Sequence, residues 1–388
     1  MDLTSMLERE DFFSSFFSTV ERYFSKVLKI DIDFSHSEDK KACNMVIKPR
    51  LSAVSSVRIS KKAREFYYSE WNVRNSIIKN IIAKTYVFLM TRTGKKFSQY
   101  KFTITPEPDN IRDLVIAPNN RSIRIFDYES GNVGCIIKDG FTKKYFTNQL
   151  EFRKKYKYDF MIPLLDYGDD WFREPIMQGH PLARTTNRLA YRKGIQDVLV
   201  ATAQLVEDTL KYIEPTGYVA KILNKARTLV SDAKEKKDIK CYDESVRIID
   251  KIEKTLSLIK FQIPTCISHG DLQEGNIWVE NTGVTKVYDW ETVGRRSVWY
   301  DTSVLLYSLR RHEGWRKLLH NNKPHLIAQN DEKKDYLDIE YKQIKNIVLL
   351  EDIIFYLEDM LELPKKWGAE LYDTFILRII QTGFLDMD

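Results

Sequence analysis

Cysteine is scarce in this chain: Cys43, Cys135, Cys241 and Cys266 are its four cysteines in 388 residues, and no two form a C-x-x-C pair. Neither a disulfide framework nor a cysteine-built zinc site is expected, and a reducing compartment is. Apolar runs are short. None reaches the roughly 18 residues that would cross a bilayer, so no membrane span is expected. A secretory leader would need a basic start before an apolar run, but the first residues include Asp2, Glu8, Glu10 and Asp11. Cytoplasmic location is the expectation. Internal repeats and low-complexity tracts are missing too. Lys95-Lys96 follow a single glycine, without the upstream glycine of a phosphate-binding P-loop.

What is present is a folding composition, 43% hydrophobic and 30% charged, which argues against wholesale disorder. The length suits two domains or one large bilobed unit. Net charge is +6, unevenly spread: residues 331–388 hold 14 acidic and 7 basic side chains, so the remainder is strongly basic. A basic body suits an anionic nucleotide or glycan, although solvated surfaces of differing sign give the same totals. No nucleic-acid partner is expected.

Phe12, Phe13, Phe16, Phe17, Val20, Tyr23, Phe24 and Val27 recur at helical spacing and predict an amphipathic helix over about residues 7–29. Such an aromatic stripe is more often core or interface than a membrane anchor. Residues 50–60, with Leu51, Val54, Val57 and Ile59, read as extended, 61–90 as helical and 98–105 as a strand. From Asp113 the pattern changes. Apolar runs at 114–117, 123–128 and 133–138, joined by Pro118-Asn119-Asn120-Arg121 and Glu129-Ser130-Gly131-Asn132, predict an antiparallel meander. A helix over 143–156 and strands over 161–166 and 171–177 follow. Gln178-Gly179-His180-Pro181 punctuates the chain. Beyond it, helices are expected over 194–212, 219–230, 242–259, 301–311, 339–361 and 371–384, with Asp301 as an N-cap. The charged stretch 234–240 reads as a solvated loop or helix end.

The most informative stretch is His269-Gly270-Asp271-Leu272-Gln273-Glu274-Gly275-Asn276, followed by Asp289-Trp290-Glu291. Between them, apolar runs at 277–279 and 284–288 flank Asn281-Thr282-Gly283, which predicts a β-hairpin. A hairpin returns the chain to its start, so Asp271, Asn276 and Asp289 should converge. Two oxygen ligands plus a separate carboxylate suit Mg²⁺, which takes few protein oxygens and completes its shell with phosphate and water.

These residues resemble the aminoglycoside phosphotransferase and choline kinase family, small-molecule kinases with the protein-kinase-like fold. The family's catalytic loop reads roughly H-G-D-x-x-x-x-N and its metal loop D-W-E, and both stand here at matching spacing. Cys135-Ile136-Ile137-Lys138 looks like the family's third-strand lysine, and Glu151 lies where its helix partner belongs. Leu165-Asp166-Tyr167-Gly168 through Gly179-His180-Pro181-Leu182 resembles the fourth and fifth strands and the hinge. The resemblance covers about residues 113–310. It implies an α+β, two-lobed fold, with a small antiparallel-sheet N-lobe over 113–178 and a larger, mostly helical C-lobe over 179–388. An N-terminal α/β extension of unknown role, 1–112, precedes them.

What the resemblance implies for chemistry is an ATP- and Mg²⁺-dependent phosphotransferase acting on a hydroxyl of a small molecule or glycan. Asp271 would be the catalytic base, a role typically worth about 10²–10⁴-fold in rate. Asn276 and Asp289 would hold the metal. Lys138 would meet the α- and β-phosphates, with Glu151 holding its ammonium. Asn119, Asn120, Arg121 and Ser122 would cover the phosphates from a turn without glycine. Glu174 to Met177 would supply hinge contacts to adenine, with Pro175 removing one N–H donor. His269 is expected to pack and hydrogen-bond the loop, and Asp301 to brace it. Two departures stand out. Gln273 replaces a common histidine, and Gly294-Arg295-Arg296-Ser297-Val298-Trp299-Tyr300-Asp301 lacks the usual G-D-P. Arg295 and Arg296 read either as contacts to an anionic acceptor or as surface arginines. Trp278, Trp290 and Trp299 read as core or as a cage for a cationic acceptor. The acidic C-terminal stretch, ending in Asp386 and Asp388, is a candidate lining for such an acceptor. A kinase acting on protein and a nucleotide-binding pseudokinase are the alternatives. Oligomeric state is not legible.

Overall fold

The computed structural model describes residues 12–36, 43–47, 53–70, 77–98, 100–320, 341–363 and 365–386. Leu51, Asp388, residues 331–340 of the acidic stretch and residues 7–11 of the expected first helix lie outside them. The chain divides into two compact units, Met1–Val198 with Gly275–Glu291 and Leu199–Glu274 with Thr292–Asp388.

The first unit is built on one antiparallel sheet. Its strands are β1 (Asp33–His36), β2 (Met45–Ile47), β3 (Val54–Ser56), β4 (Lys101–Thr105), β5 (Leu114–Pro118), β6 (Ser122–Asp127), β7 (Asn132–Ile137), β8 (Asp166–Tyr167) and β9 (Trp171–Pro175). Their order is β1-β4-β2-β3-β5-β6-β7-β9-β8. The meander expected from residue 114 is therefore continuous with strands from the first 112 residues, and residue 112 falls in the short 3-10 helix Ile111–Asp113 that connects β4 to β5.

Helix α1 (Phe12–Tyr23) lays its aromatic stripe on one face. Phe12, Phe16, Val20 and Tyr23 pack there with Ile123, Ile125 and Ile136. The fit is close at Gly134, where a Cβ would stand 1.8 Å from the Tyr23 hydroxyl. Helices α2 (Arg64–Glu70) and α3 (Ile77–Phe97) belong to the other face, with Ala63, Tyr67 and Val87 packed around Val115. Helix α4 (Lys144–Lys155) sets Phe146 and Leu150 against Cys135, Ile137 and Phe172.

A second sheet of the same unit joins Gly179–Pro181 to the hairpin Ile277–Glu280 and Thr285–Val287. The expected strand over 161–166 shrinks to its end. Only Asp166–Tyr167 pairs with β9, and Met161 makes an isolated bridge to Val287. Pro163 interrupts the run and has no N–H to give a ladder.

Helix α5 (Arg188–Thr209) runs across the division between the units. It stops short of the expected 212, because Lys211–Ile213 instead pairs with Ile263–Thr265. The second unit is otherwise helical. Helices α6 (Pro215–Lys237) and α7 (Tyr242–Leu256) pack with α8 (Tyr300–Leu306), α9 (Gly314–His320), α10 (Tyr341–Glu362) and α11 (Lys365–Gln381). Pro215 suits the first turn of α6, where no helical N–H bond is lost. Helix α10 is buried on almost every face, Glu351 and Asp352 included. Of this acidic pair, Asp352 meets Arg310, which also holds Asp271, while Glu351 accepts hydrogen bonds from Ser297 and Tyr218.

Candidate active site

In the helical unit, Asp271 follows Ile263–Ser268, the central strand of a three-stranded sheet. Gly270 sits at φ +86°, and a Cβ there would meet the Thr292 carbonyl oxygen at 2.4 Å. Only glycine lets the loop pass so close. Asp301 braces the loop: it accepts hydrogen bonds from Ser268 Oγ at 2.8 Å, His269 N at 2.6 Å and Gly270 N at 3.0 Å. It does so from the first turn of α8 rather than as the N-cap, which is Trp299. His269 is fully buried and accepts from Asp271 N at 3.2 Å on Nδ1. Both expected structural roles are thus met.

Asp271 itself is held by a residue that sequence reading passed over. Arg310 Nε reaches Asp271 Oδ1 at 2.7 Å, and its Nη1 reaches Asp352 Oδ1 at 2.6 Å. Nη2 donates to Gly270 O at 3.2 Å and Tyr300 Oη at 3.1 Å. The guanidinium lies 4.1 Å from the Phe355 ring centroid. Burial works against its charge, but Asp352, Tyr300 and Asp271 outweigh it and hold its pKa well above the ordinary value. Gln273, in the histidine position, donates from Nε2 to Asp271 Oδ2 at 2.8 Å. Both oxygens of Asp271 are therefore oriented by fixed donors.

Arg295 and Arg296 take structural bonds. Arg295 donates to Thr209 O, Thr265 O and Thr265 Oγ1 at 3.0–3.2 Å, and Arg296 to Thr292 O at 3.0 Å. Trp299 is core.

In the sheet unit, the hairpin closes as expected. Tyr288 N donates to Asn276 O at 3.1 Å, which brings Asn276 and Asp289 to one end of it. Asp289 adopts φ +67°, an uncommon conformation for a residue with a side chain and one frequent at functional sites. Trp290 is core, stacked on Phe152 at 4.8 Å.

The same unit contains a cleft of about 680 Å³, walled by Glu174, Pro175, Ile176, Met177 and Gln178 of the hinge. Arg124, Phe126 and Val133 line it from the sheet, and Trp278 and Tyr288 from the hairpin. Glu65, Phe66 and Tyr68 of α2 also line it, with Phe66 4.9 Å from Phe126. Helical spacing alone could not signal that contribution of the first 112 residues. Glu174 is buried and paired with Arg153 Nη2 at 2.7 Å, which fixes the hinge strand to α4.

The turn after β5 is tight, with Asn119 N bonded to Ser122 O at 2.8 Å. Arg121 is not a solvated turn arginine. It is 5% exposed, pairs with Glu291 Oε1 at 2.8 Å and covers the Tyr145 ring at 4.3 Å. That ion pair ties the turn to Asp289-Trp290-Glu291.

Lys138 and Glu151 are not brought together. Lys138 is buried, its Nζ 5.7 Å from the Phe12 ring, on the sheet face that α1 covers. Alternation explains it: Gly134 and Ile136 face α1, and Lys138 continues their side. Glu151 is 65% exposed and pairs with Lys154 at 3.0 Å. Two cations of the described residues line the cleft, Lys84 and Arg124, and Arg124 stands opposite Cys135 in the β6–β7 ladder. Its Nη2 lies 3.5 Å from Asp289 Oδ1, and its plane 5.4 Å from the Tyr288 ring. Burial opposes this charge too, but Asp289 and Glu174 raise its pKa above the usual arginine value.

Two buried donors on residues lining the cleft, Arg124 Nε and Trp278 Nε1, have no hydrogen-bond partner among the described residues. Unmet buried donors suit a ligand rich in acceptor atoms, such as a nucleotide. Among the described residues no group of three His, Cys, Asp or Glu could hold a metal. Asn276 and Asp289 therefore fit Mg²⁺ only as a partial shell completed by phosphate and water oxygens. No helix of the described residues is long and apolar enough to cross a membrane.

Residues 165–325 match the model of the phosphotransferase enzyme family. No curated protein matches the chain. Among solved structures, a thermostable mutant of aminoglycoside phosphotransferase APH(4)-Ia, in complex with ADP and hygromycin B, covers 71% of this chain and 95% of its own. The identity is 11% and the TM-score 0.50. An ethanolamine kinase from Plasmodium vivax covers 84% of this chain and 94% of its own, at 14% identity and TM-score 0.48. A choline kinase from Cryptosporidium parvum covers 70% and 88%, at 13% identity and TM-score 0.46. The chain has the α+β, kinase-like fold expected from its motifs.

Proposed function

We propose that this protein is an ATP- and Mg²⁺-dependent phosphotransferase that moves the γ-phosphoryl group to a hydroxyl of a small molecule or sugar. The observation that carries the reading is the hairpin that brings Asn276 and Asp289 to one end while Tyr288 and Trp278 line the hinge cleft. Phosphotransferase relatives in the family match and among the similar folds support it.

In this reading the hinge backbone takes the adenine, and the turn 119–122 lies over the phosphates. Asp271, its carboxylate aimed by Arg310 and Gln273, takes the proton of the acceptor hydroxyl. As that oxygen bonds the γ-phosphorus, the bond to the β–γ bridging oxygen breaks, and its electron pair leaves with ADP. Magnesium held by Asn276 and Asp289 would neutralise phosphate charge that otherwise repels the nucleophile.

A second reading is favoured by one observation. Lys138 faces α1, so a nucleotide-binding protein without turnover remains the competing account. ATP turnover with and without Mg²⁺, in wild type and Asp271→Ala, separates the two. A metabolite-library screen read by mass spectrometry then identifies the acceptor. Turnover that needs Mg²⁺ and falls about 10²–10⁴-fold in the variant is the expected result. Unchanged turnover in the variant would sink the base assignment, and phosphate appearing only on protein would reassign the acceptor.

A further inference from the structure

We propose that Arg124, from the second strand of the meander, supplies the cation for the nucleotide's polyphosphate in place of the third-strand lysine. The inference rests on the nucleotide-dependent reading above and goes beyond it, because the sequence motif alone assigns that charge to Lys138.

Three observations carry it. First, the face of β7 turned from α1 presents Cys135 and Ile137, neither of which carries charge. Both line a small recess with Asp289 and Glu291. Lys138 follows on the alternate side of the strand, its Nζ 5.7 Å from the Phe12 ring and 5.4 Å from the Phe141 ring. Second, the α4 side chain lining that recess from the expected glutamate's neighbourhood is Gln149, 5% exposed, while Glu151 turns to solvent. A neutral amide there has no ammonium to hold, so both members of the expected ion pair are replaced together. Third, Arg124 occupies the vacated region. It is the cross-strand partner of Cys135 and lines both the recess and the hinge cleft. Its Nη2 points to Asp289 and its buried Nε has no partner among the described residues.

The chemistry favours the exchange. A guanidinium is always charged and presents its donors as a rigid fork that matches phosphate oxygens, so it can span Asp289 and a phosphate at once. Arg121 does not compete for this role, since Glu291 and the Tyr145 ring already fix its guanidinium. The ligand class is a nucleoside triphosphate or its diphosphate product, with affinity resting on phosphate rather than base.

The test is isothermal titration calorimetry on the full chain with Mg²⁺ and either the non-hydrolysable analogue AMP-PNP or adenosine. Arg124→Met should bind AMP-PNP roughly 10- to 100-fold more weakly, the worth of about one hydrogen bond to a charged group. Its adenosine affinity should stay within about threefold, which also reports that the cleft is folded, and Arg124→Lys should recover part of the loss. Lys138→Met should leave AMP-PNP affinity within about threefold of wild type. Equal AMP-PNP binding by wild type and Arg124→Met overturns the assignment. So does a larger loss in Lys138→Met, or a parallel loss of adenosine in Arg124→Met. A wild-type protein that binds neither ligand overturns the nucleotide reading itself, a result distinct from all of these.

Discussion

Arg310 offers the sharpest test of how the loop around Asp271 is held. Its side chain is 11% exposed and bridges Asp271 to Asp352, whose side chain is fully buried. Tyr300 Oη and Trp315 Nε1 also donate to Asp352, at 2.7 and 3.2 Å, but among the described residues Arg310 is its ion-pair partner. Arg310→Ala leaves that carboxylate buried without a countercharge, which typically costs about 3–5 kcal/mol. Losing the contact with Phe355 adds to the effect, and the slight exposure reduces it little. Asp352→Asn relieves most of the penalty, so the double variant should be less destabilised than the sum of the two singles by about 1–3 kcal/mol. Equilibrium urea unfolding, followed by far-ultraviolet circular dichroism, measures all four proteins. An Arg310→Ala cost below about 1 kcal/mol, with additive singles, would refute the claim that this ion pair anchors the loop.

Two further outcomes follow from local geometry. Gly270→Ala forces a Cβ against the Thr292 carbonyl oxygen at positive φ, so a stability loss of at least about 2 kcal/mol is expected by the same unfolding assay. A loss under about 0.5 kcal/mol would show that the loop can shift freely. Burial raises the pKa of Glu351 even though Tyr218 and Ser297 donate hydrogen bonds to it. A carboxyl raised above its unfolded value adds stability below about pH 4.5 that is lost as pH rises through the folded pKa. Wild type should therefore gain in melting temperature relative to Glu351→Gln as pH falls from about 7 to 5. An unchanged or opposite difference in thermal melts would contradict the sign.

The elements that sequence reading located well are those with punctuation. The meander has turn chemistry at 118–121 and 129–132, and the hairpin has Asn281-Thr282-Gly283. Elements closed by distant partners were missed. Lys211–Ile213 reads as the tail of a helix until Ile263–Thr265 pairs with it, and Gly294–Ser297 looks like a loop until it meets Thr265–Ser268. The facing of Lys138 was illegible for a different reason. Residues 133–137 of β7 are buried on both faces, so no alternation of polar and apolar residues marks which side holds the cleft. Arg124 on β6 was equally silent, since one arginine in an apolar strand reads as an ordinary outward-facing residue. The close approach of Tyr23 to Gly134 and the packing of α1 on Ile123, Ile125 and Ile136 orient the sheet.

The unbroken sheet has a practical consequence for anyone handling the protein. Strand β5 is paired on one edge by β6 and on the other by β3. Its Leu114, Val115 and Ile116 are fully buried. A fragment cut to begin at residue 113 would bare a row of backbone donors and acceptors along an apolar strand, a ready template for edge-to-edge aggregation. Such a fragment should be recovered from the insoluble fraction, even though it would contain both His269–Asn276 and Asp289-Trp290-Glu291. For this chain, the smallest piece that holds these motifs should be smaller than the smallest piece that stays in solution.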